Sequence, residues 1–176
     1  MKKILVTGAA GFLGSHLCEK LQKLNYHVVG IDNMIGGDLD NLPKNIEFYE
    51  MDCCDFNKLN KLLKGVEIVY HCAATAHEGL SVFSPVEITK NNYLATVSVL
   101  SAAINNKIKR FIYCSSMARY GNQKTPFTED MKPMPVDPYG ISKVAGEEVL
   151  KNLCDLNKIE WVIAVPHNII GPKQKY

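Results

Sequence analysis

The sequence predicts an α/β fold, a doubly wound parallel sheet with helices on both faces, and two observations carry that prediction. Short apolar runs alternate with longer amphipathic segments along the whole of the 176-residue chain. The runs are apolar on both faces, as in strands buried between two layers of helix. The strand candidates are Lys3–Val6, His27–Ile31, Ile46–Glu50, Glu67–His71, Arg110–Cys114 and Trp161–Val165. The helix-period segments are roughly Phe12–Leu24, Asn57–Leu63, Val86–Asn105 and Pro138–Leu156. Tyr120–Pro138 fits neither pattern: Pro126, Pro133, Pro135 and Pro138 forbid a continuous helix, so it reads as a loop over one edge of a site.

Bulk properties narrow the function classes. The length suits one domain with a real core. Twenty basic and 18 acidic residues nearly cancel, to +2, which gives no electrostatic footprint for nucleic acid. No apolar run approaches the roughly 18–20 residues needed to span a bilayer. Met1-Lys2-Lys3 before Ile4-Leu5-Val6 resembles a signal-peptide start, but Thr7-Gly8 interrupts it at once, so the expected location is the cytoplasm. Cys18, Cys53, Cys54, Cys72, Cys114 and Cys154 form no C-x-x-C pair, and their spacing suits neither zinc nor a disulfide framework. They are expected to be reduced, structural thiols with no metal role; the vicinal pair Cys53-Cys54 is the one place with room for redox sensitivity.

The first strand leads into Thr7-Gly8-Ala9-Ala10-Gly11-Phe12-Leu13-Gly14, which opens the first helix. Gly8 permits a tight turn, Gly11 lets the backbone approach a pyrophosphate, and Gly14 lets the helix pack closely on the strand. Unpaired N–H groups at the helix start then face the phosphates. Asp32 ends the second strand about 20 residues further on, where a carboxylate accepts hydrogen bonds from the adenosine ribose and repels a 2′-phosphate. This is the Rossmann arrangement, and it favours NAD over NADP. Asp52, after the third strand, suits either the adenine amino group or a helix cap.

Tyr139-Gly140-Ile141-Ser142-Lys143 follows Pro138, a residue suited to the first turn of a helix, so Tyr139 and Lys143 share one face. A free tyrosine ionises near pH 10, leaving about one molecule in a thousand ionised at neutrality; evening that balance takes roughly 4 kcal/mol. A lysine ammonium and a cationic nicotinamide ring beside the phenol are the expected source. The fifth strand ends in Ser115-Ser116, at the edge where doubly wound sheets bind ligands. Ser116 is the candidate for holding a substrate oxygen beside Tyr139; capping the next segment is the competing role for either serine.

Taken together, these motifs resemble the NAD-dependent epimerase/dehydratase family of extended short-chain dehydrogenases. The likeness extends to His71-Cys72-Ala73-Ala74, Asn91-Asn92, Tyr120-Gly121 and Pro166-His167-Asn168 followed by Gly171-Pro172, and it is greatest to the UDP-glucose 4-epimerase-like branch. The resemblance implies that Phe12, Leu13, Asp32, Asn33, Asp52, Cys53 and Ala73 line the NAD site. It implies that Asn91, Tyr139, Lys143 and His167 touch it too, and that Ser116 and Asn168 meet a nucleotide sugar, a UDP-sugar above all. The implied chemistry is a hydride removed from sugar C4 and returned to the opposite face. Tyr139 exchanges the hydroxyl proton, Lys143 keeps it acidic and Ser116 aligns the oxygen. Met117-Ala118 follows Ser116 where 4,6-dehydratases carry an Asp-Glu pair, which disfavours dehydration. Val165 stands where the family usually has an arginine. Reduction, dehydrogenation or decarboxylation on the same scaffold, and an NAD-binding module without catalysis, are the alternatives. The family also implies a smaller substrate domain after the sixth strand; its absence predicts a fragment whose 176 residues are the NAD-binding domain alone. Dimers in this family commonly pair through two helices each, here Val86–Asn105 and Pro138–Leu156.

Overall fold

In the computed structural model, which describes residues 2–174, six strands form one parallel sheet in the order β3-β2-β1-β4-β5-β6. They are β1 (Lys3–Thr7), β2 (His27–Asp32), β3 (Glu47–Glu50), β4 (Val66–His71), β5 (Arg110–Cys114) and β6 (Glu160–Ala164). All lie within about one residue of their sequence-predicted bounds, because each is a short apolar run closed by turn residues. The order reverses between β1 and β4, which opens a crevice at the carboxyl ends of those two strands.

Helices α1 (Phe12–Lys23), α2 (Phe56–Leu62), α3 (Glu78–Ser81), α4 (Pro85–Ile88), α5 (Ala95–Asn105) and α6 (Pro138–Asn157) connect the strands. One face of the sheet packs Leu5, Val29, Ile31, Val69 and Phe111 against Leu59 of α2, Val99 and Leu100 of α5, and Leu150 and Cys154 of α6. On the other face Ile4, Val6 and Val28 pack against Cys18 and Leu21 of α1. That second layer does not reach β6, whose Glu160, Val162 and Ala164 are exposed.

Caps explain the ends of the helix that carries Tyr139. Asp137 accepts a hydrogen bond from the Gly140 amide at 2.8 Å, Pro138 occupies the first turn, and Lys158 closes the far end in the left-handed conformation. The segment expected to run as one helix over Val86–Asn105 is instead broken into three. A π-helical turn, Thr89–Leu94, separates α4 from α5. Its wider hydrogen-bond ring changes the direction in which Asn91 and Asn92 project. No helix among the described residues is long and apolar enough to cross a membrane.

Candidate active site

The carboxyl edge of the sheet gathers most of the predicted residues. Gly8, Gly11, Phe12, Leu13 and Gly14 follow β1, Asp32 and Asn33 close β2, and Asp52 and Cys53 follow β3. Ala73 follows β4, Ser116 follows β5, and His167 and Asn168 follow β6. Asn91 arrives on the π-helical turn, and Tyr139 and Lys143 on α6.

The glycine turn is shaped by close approach. Gly8 has φ +69°, and a Cβ on it would lie 2.9 Å from the Ala73 amide nitrogen. A Cβ on Gly14 would collide with the Gly8 carbonyl, so α1 packs on β1 only because that position has no side chain. Gly11 is the N-cap of α1 and offers no side chain to its first amides. A helix start without a side-chain cap, at the mouth of the crevice, is a place for an anion.

Asp32, buried at 7 % exposure, is both a turn residue and a loop anchor. One carboxylate oxygen accepts from the Met34 amide at 2.9 Å and the other from the Ala10 amide at 3.0 Å. Each oxygen keeps acceptor capacity for a further donor. Asp52 accepts from the Cys54 amide at 2.7 Å and forms a local turn, while the cap of α2 falls to Asp55. Cys53 turns its thiol into the core, which leaves its backbone as the part able to meet a ligand.

At the reacting end, Tyr139 and Lys143 are both buried, at 7 % and 3 % exposure. Lys143 Nζ donates to the Cys114 carbonyl at 2.8 Å and sits 5.8 Å from the Tyr139 ring centroid. Burial pushes the Tyr139 phenol above the usual tyrosine range, with Cys114, Glu78 and Asp137 adding to the rise, while a hydrogen bond with Ser116 opposes it. Burial lowers the Lys143 ammonium, against the pull of Cys114, Cys72 and Glu147. The protein by itself therefore keeps Tyr139 a neutral phenol; the expected acidification waits on positive charge arriving beside the ring.

The two serines divide their roles. Ser116 accepts from the Ala118 amide at 3.2 Å and so caps the next segment, while standing close enough to Tyr139 to lower its phenol. Ser115 turns the other way and makes a short hydrogen bond to Glu147, a residue 1 % exposed that also pairs with Arg119 at 3.1 Å.

Several residues that shape the site had no role assigned to them in the sequence reading, even where they stood in a quoted motif. Asn92, 1 % exposed, accepts from the Thr75 amide at 2.8 Å and donates to Ser142 Oγ at 3.2 Å, tying the β4 loop to the Tyr139 helix. Its neighbour Asn91 donates to Thr75 Oγ1 at 3.1 Å, so both asparagines grip one loop residue. His71 bridges Thr7 at 2.7 Å and Thr96 at 2.9 Å. Thr96 donates its own hydroxyl proton to the Asn92 carbonyl at 2.6 Å, so the His71 proton sits on Nε2 and Nδ1 accepts from Thr7. Burial, helped by the Lys143 charge, pushes His71 down to about 3, which keeps it neutral. The adjacent Asn-Asn pair was the available signal for Asn92 and the His71-Cys72-Ala73-Ala74 motif that for His71; nothing in the local pattern marks Glu147.

His167 and Asn168 are exposed beyond β6. The His167 ring stacks on Phe127 at 6.1 Å between centroids, and Phe127 stacks on Tyr120 at 4.7 Å, so the proline-rich loop does cover one edge of the site. Pro172 returns to α1, its carbonyl accepting from His16 Nε2 at 3.0 Å. Among the described residues no cluster of three or more His, Cys, Asp or Glu side chains could hold a metal ion.

A parallel sheet with a reversed order, a glycine turn at its crevice, an acidic end to β2 and a Ser-Tyr-Lys set define a dinucleotide-binding dehydrogenase-type scaffold. The chain belongs to the NAD dependent epimerase/dehydratase family, whose model matches residues 4–176. A putative UDP-glucose 4-epimerase of Methanocaldococcus jannaschii is 37% identical over 174 residues, covering 97% of this chain and 57% of the relative. The dTDP-D-glucose 4,6-dehydratase of Homo sapiens is 34% identical, over 98% of this chain and 53% of the relative. The crystal structure of Thermus thermophilus UDP-glucose 4-epimerase in complex with NAD superposes with a TM-score of 0.94 at 31% identity, over 98% of this chain and 57% of that one. The chain thus spans little more than half the length of these relatives.

Proposed function

We propose that this chain holds NAD and carries the proton-transfer machinery of a UDP-sugar 4-epimerase. The observation that supports it best is the convergence of Ser116, Tyr139 and Lys143 at the end of β5, beside a glycine turn whose helix has no side-chain cap. These residues fit the dinucleotide. The first amides of α1 suit its pyrophosphate, Asp32 its adenosine ribose, and the buried Lys143 ammonium the ribose at the nicotinamide end. Asp52, the Cys53 backbone, Ala73, Asn91 and His167 complete the proposed contacts, with Phe12, Leu13 and Asn33 at the adenosine side.

When bound, NAD+ accepts and returns a hydride and places a positive charge near the reacting carbon. Tyr139 takes the proton of the sugar 4-hydroxyl, and Ser116 holds the same oxygen through its hydroxyl. Lys143, fixed by the Cys114 carbonyl, favours the phenolate. Asn168 begins the nucleotide-sugar contacts. With the keto sugar turned over, Tyr139 gives its proton back, and no net redox results. A 4,6-dehydratase needs a further acid–base pair, and Met117 and Ala118 offer none after Ser116. Cytoplasmic location is part of the same reading.

Titration calorimetry tests the cofactor half. Binding of NAD+ is expected to exceed that of NADP+ by at least about tenfold, since a 2′-phosphate would meet the Asp32 carboxylate. Asp32→Ala is expected to erase the preference, and equal binding of both cofactors by the unaltered chain would refute the assignment. Leu80, Val82, Phe83, Val86 and Leu94 are exposed around α3 and the π-helical turn. They support a homodimer through this segment and α6. Sedimentation is expected to show a dimer that Phe83→Glu dissociates; a monomer at all concentrations would rule that out.

A further inference from the structure

We propose that Cys72 and Cys114 form an oxidisable dithiol, a modification site at the carboxyl ends of β4 and β5 that closes to a disulfide on reaction with a hydroperoxide. The register brings them together. His71 of β4 pairs with Tyr113 of β5 in a parallel ladder, and the two cysteines are the next residues along, Cys114 closing β5 and Cys72 just past the end of β4. Adjacent strands lie about 4.7–4.9 Å apart, inside the window of about 4.4–6.8 Å between Cα atoms that a disulfide requires. Each thiol shifts the ionisation of the other, Cys72 upward and Cys114 downward, as neighbouring side chains do. This relocates the redox-prone pair that the sequence placed at Cys53-Cys54. Cys53 is packed in the core, and burial pushes both of those thiols upward, Cys54 to about 11.

Reactivity and access favour Cys114. Its thiol is held below the usual cysteine range by the neighbouring Cys72 and by the positive charge of Lys143, against the opposing effect of burial. A thiol so placed is a better nucleophile at neutral pH than a buried one. Both cysteines are half-buried, whereas Cys18, Cys53 and Cys154 are buried. Ala164, the β6 partner of Cys114, is exposed on the sheet face that α1 does not reach, which leaves a route for a small oxidant.

The chemistry balances with one peroxide. The Cys114 thiolate attacks a peroxide oxygen, the O–O bond breaks, and hydroxide leaves with the electron pair, giving a sulfenic acid. The Cys72 sulfur then attacks the Cys114 sulfur; the S–S bond forms, the S–O bond breaks, and water departs with the thiol proton. Two thiols are oxidised, one hydrogen peroxide is reduced, and two waters form. The same Cys114 carbonyl that receives Lys143 Nζ is in the residue that closes the bridge, so oxidation acts on the lysine's anchor. A bridge between adjacent parallel strands is expected to be labile to thiols, as disulfides away from ideal geometry are.

Non-reducing peptide mapping of the folded chain after hydrogen peroxide treatment tests the proposal without reference to catalysis. Cys72 and Cys114 fall in different tryptic peptides, so the bridge is read as one cross-linked species lacking two hydrogens. More than half of the molecules are expected to carry it before any other cysteine reacts, and dithiothreitol should reverse it. Cys72→Ser should remove the cross-link and let Cys114 pass on to the sulfinic form. Oxidation of Cys53 or Cys54 first, or sulfinic Cys114 in the unaltered chain without a bridge, would overturn it.

Discussion

Glu147→Ala is expected to destabilise the fold by about 3–5 kcal/mol, the range for leaving one member of a buried ion pair without its partner. Arg119 and Glu147 have side chains only 9% and 1% exposed, and they stand 3.1 Å apart. The Arg119 Nε–H has no aligned acceptor, so charge rather than a well-directed hydrogen bond joins the pair. Without the carboxylate, the guanidinium keeps a 3.2 Å bond to the Tyr120 hydroxyl and the face of that ring, neither of which carries a negative charge. Ser115 loses its acceptor in the same step. For a domain of this size the melting temperature should fall on the order of 10 °C. A change below about 1 kcal/mol would show that the pair contributes little. Combining Glu147→Leu with Arg119→Met should recover much of the loss, because apolar replacement of a whole buried pair is often neutral. The pair also matters to the site: Glu147 lies one turn beyond Lys143, and Ser115 precedes Ser116.

What the sequence reveals and what it hides follow from the range of the interactions involved. Strand positions are legible because each strand is a short apolar run between turn residues, and the topology follows from their alternation with helices. Gly8, Gly14 and Asp32 are legible because a tight turn and a strand end need those residue types. The helix face shared by Tyr139 and Lys143 follows from a four-residue spacing alone. The π-helical turn is not legible, since a change of hydrogen-bond ring leaves the apolar pattern of 86–105 nearly unaltered. Helix α3 is too short to show a period. The Cys72–Cys114 contact depends on strand register, and the Glu147–Arg119 pair on two elements far apart in sequence; no local pattern records either. Asn92 lies between these cases: the Asn-Asn dipeptide marks the place, but only the fold shows which asparagine binds Ser142.

On the proposed epimerase reading, Tyr139→Phe is expected to lower kcat/KM on a UDP-sugar by about 10²–10⁴-fold, the usual contribution of a positioned general base. NAD+ binding by the same variant should change no more than about twofold, because the substitution removes one hydroxyl and leaves Lys143 and its Cys114 anchor in place. The pH dependence is the sharper readout. Burial sets the phenol above its ordinary range, so the reactive phenolate is scarce at neutral pH. The proposed activity should therefore rise with pH, about tenfold per pH unit below the phenol pKa of the loaded site. In the Tyr139→Phe variant that rise should disappear. Ser116→Ala removes the one hydrogen bond that lowers this phenol, so it should move the rise to higher pH as well as reduce the rate. A Tyr139→Phe enzyme that kept both its rate and its pH profile would transfer the base to another group. Glu78, whose charge already acts on the phenol, would be the first to test.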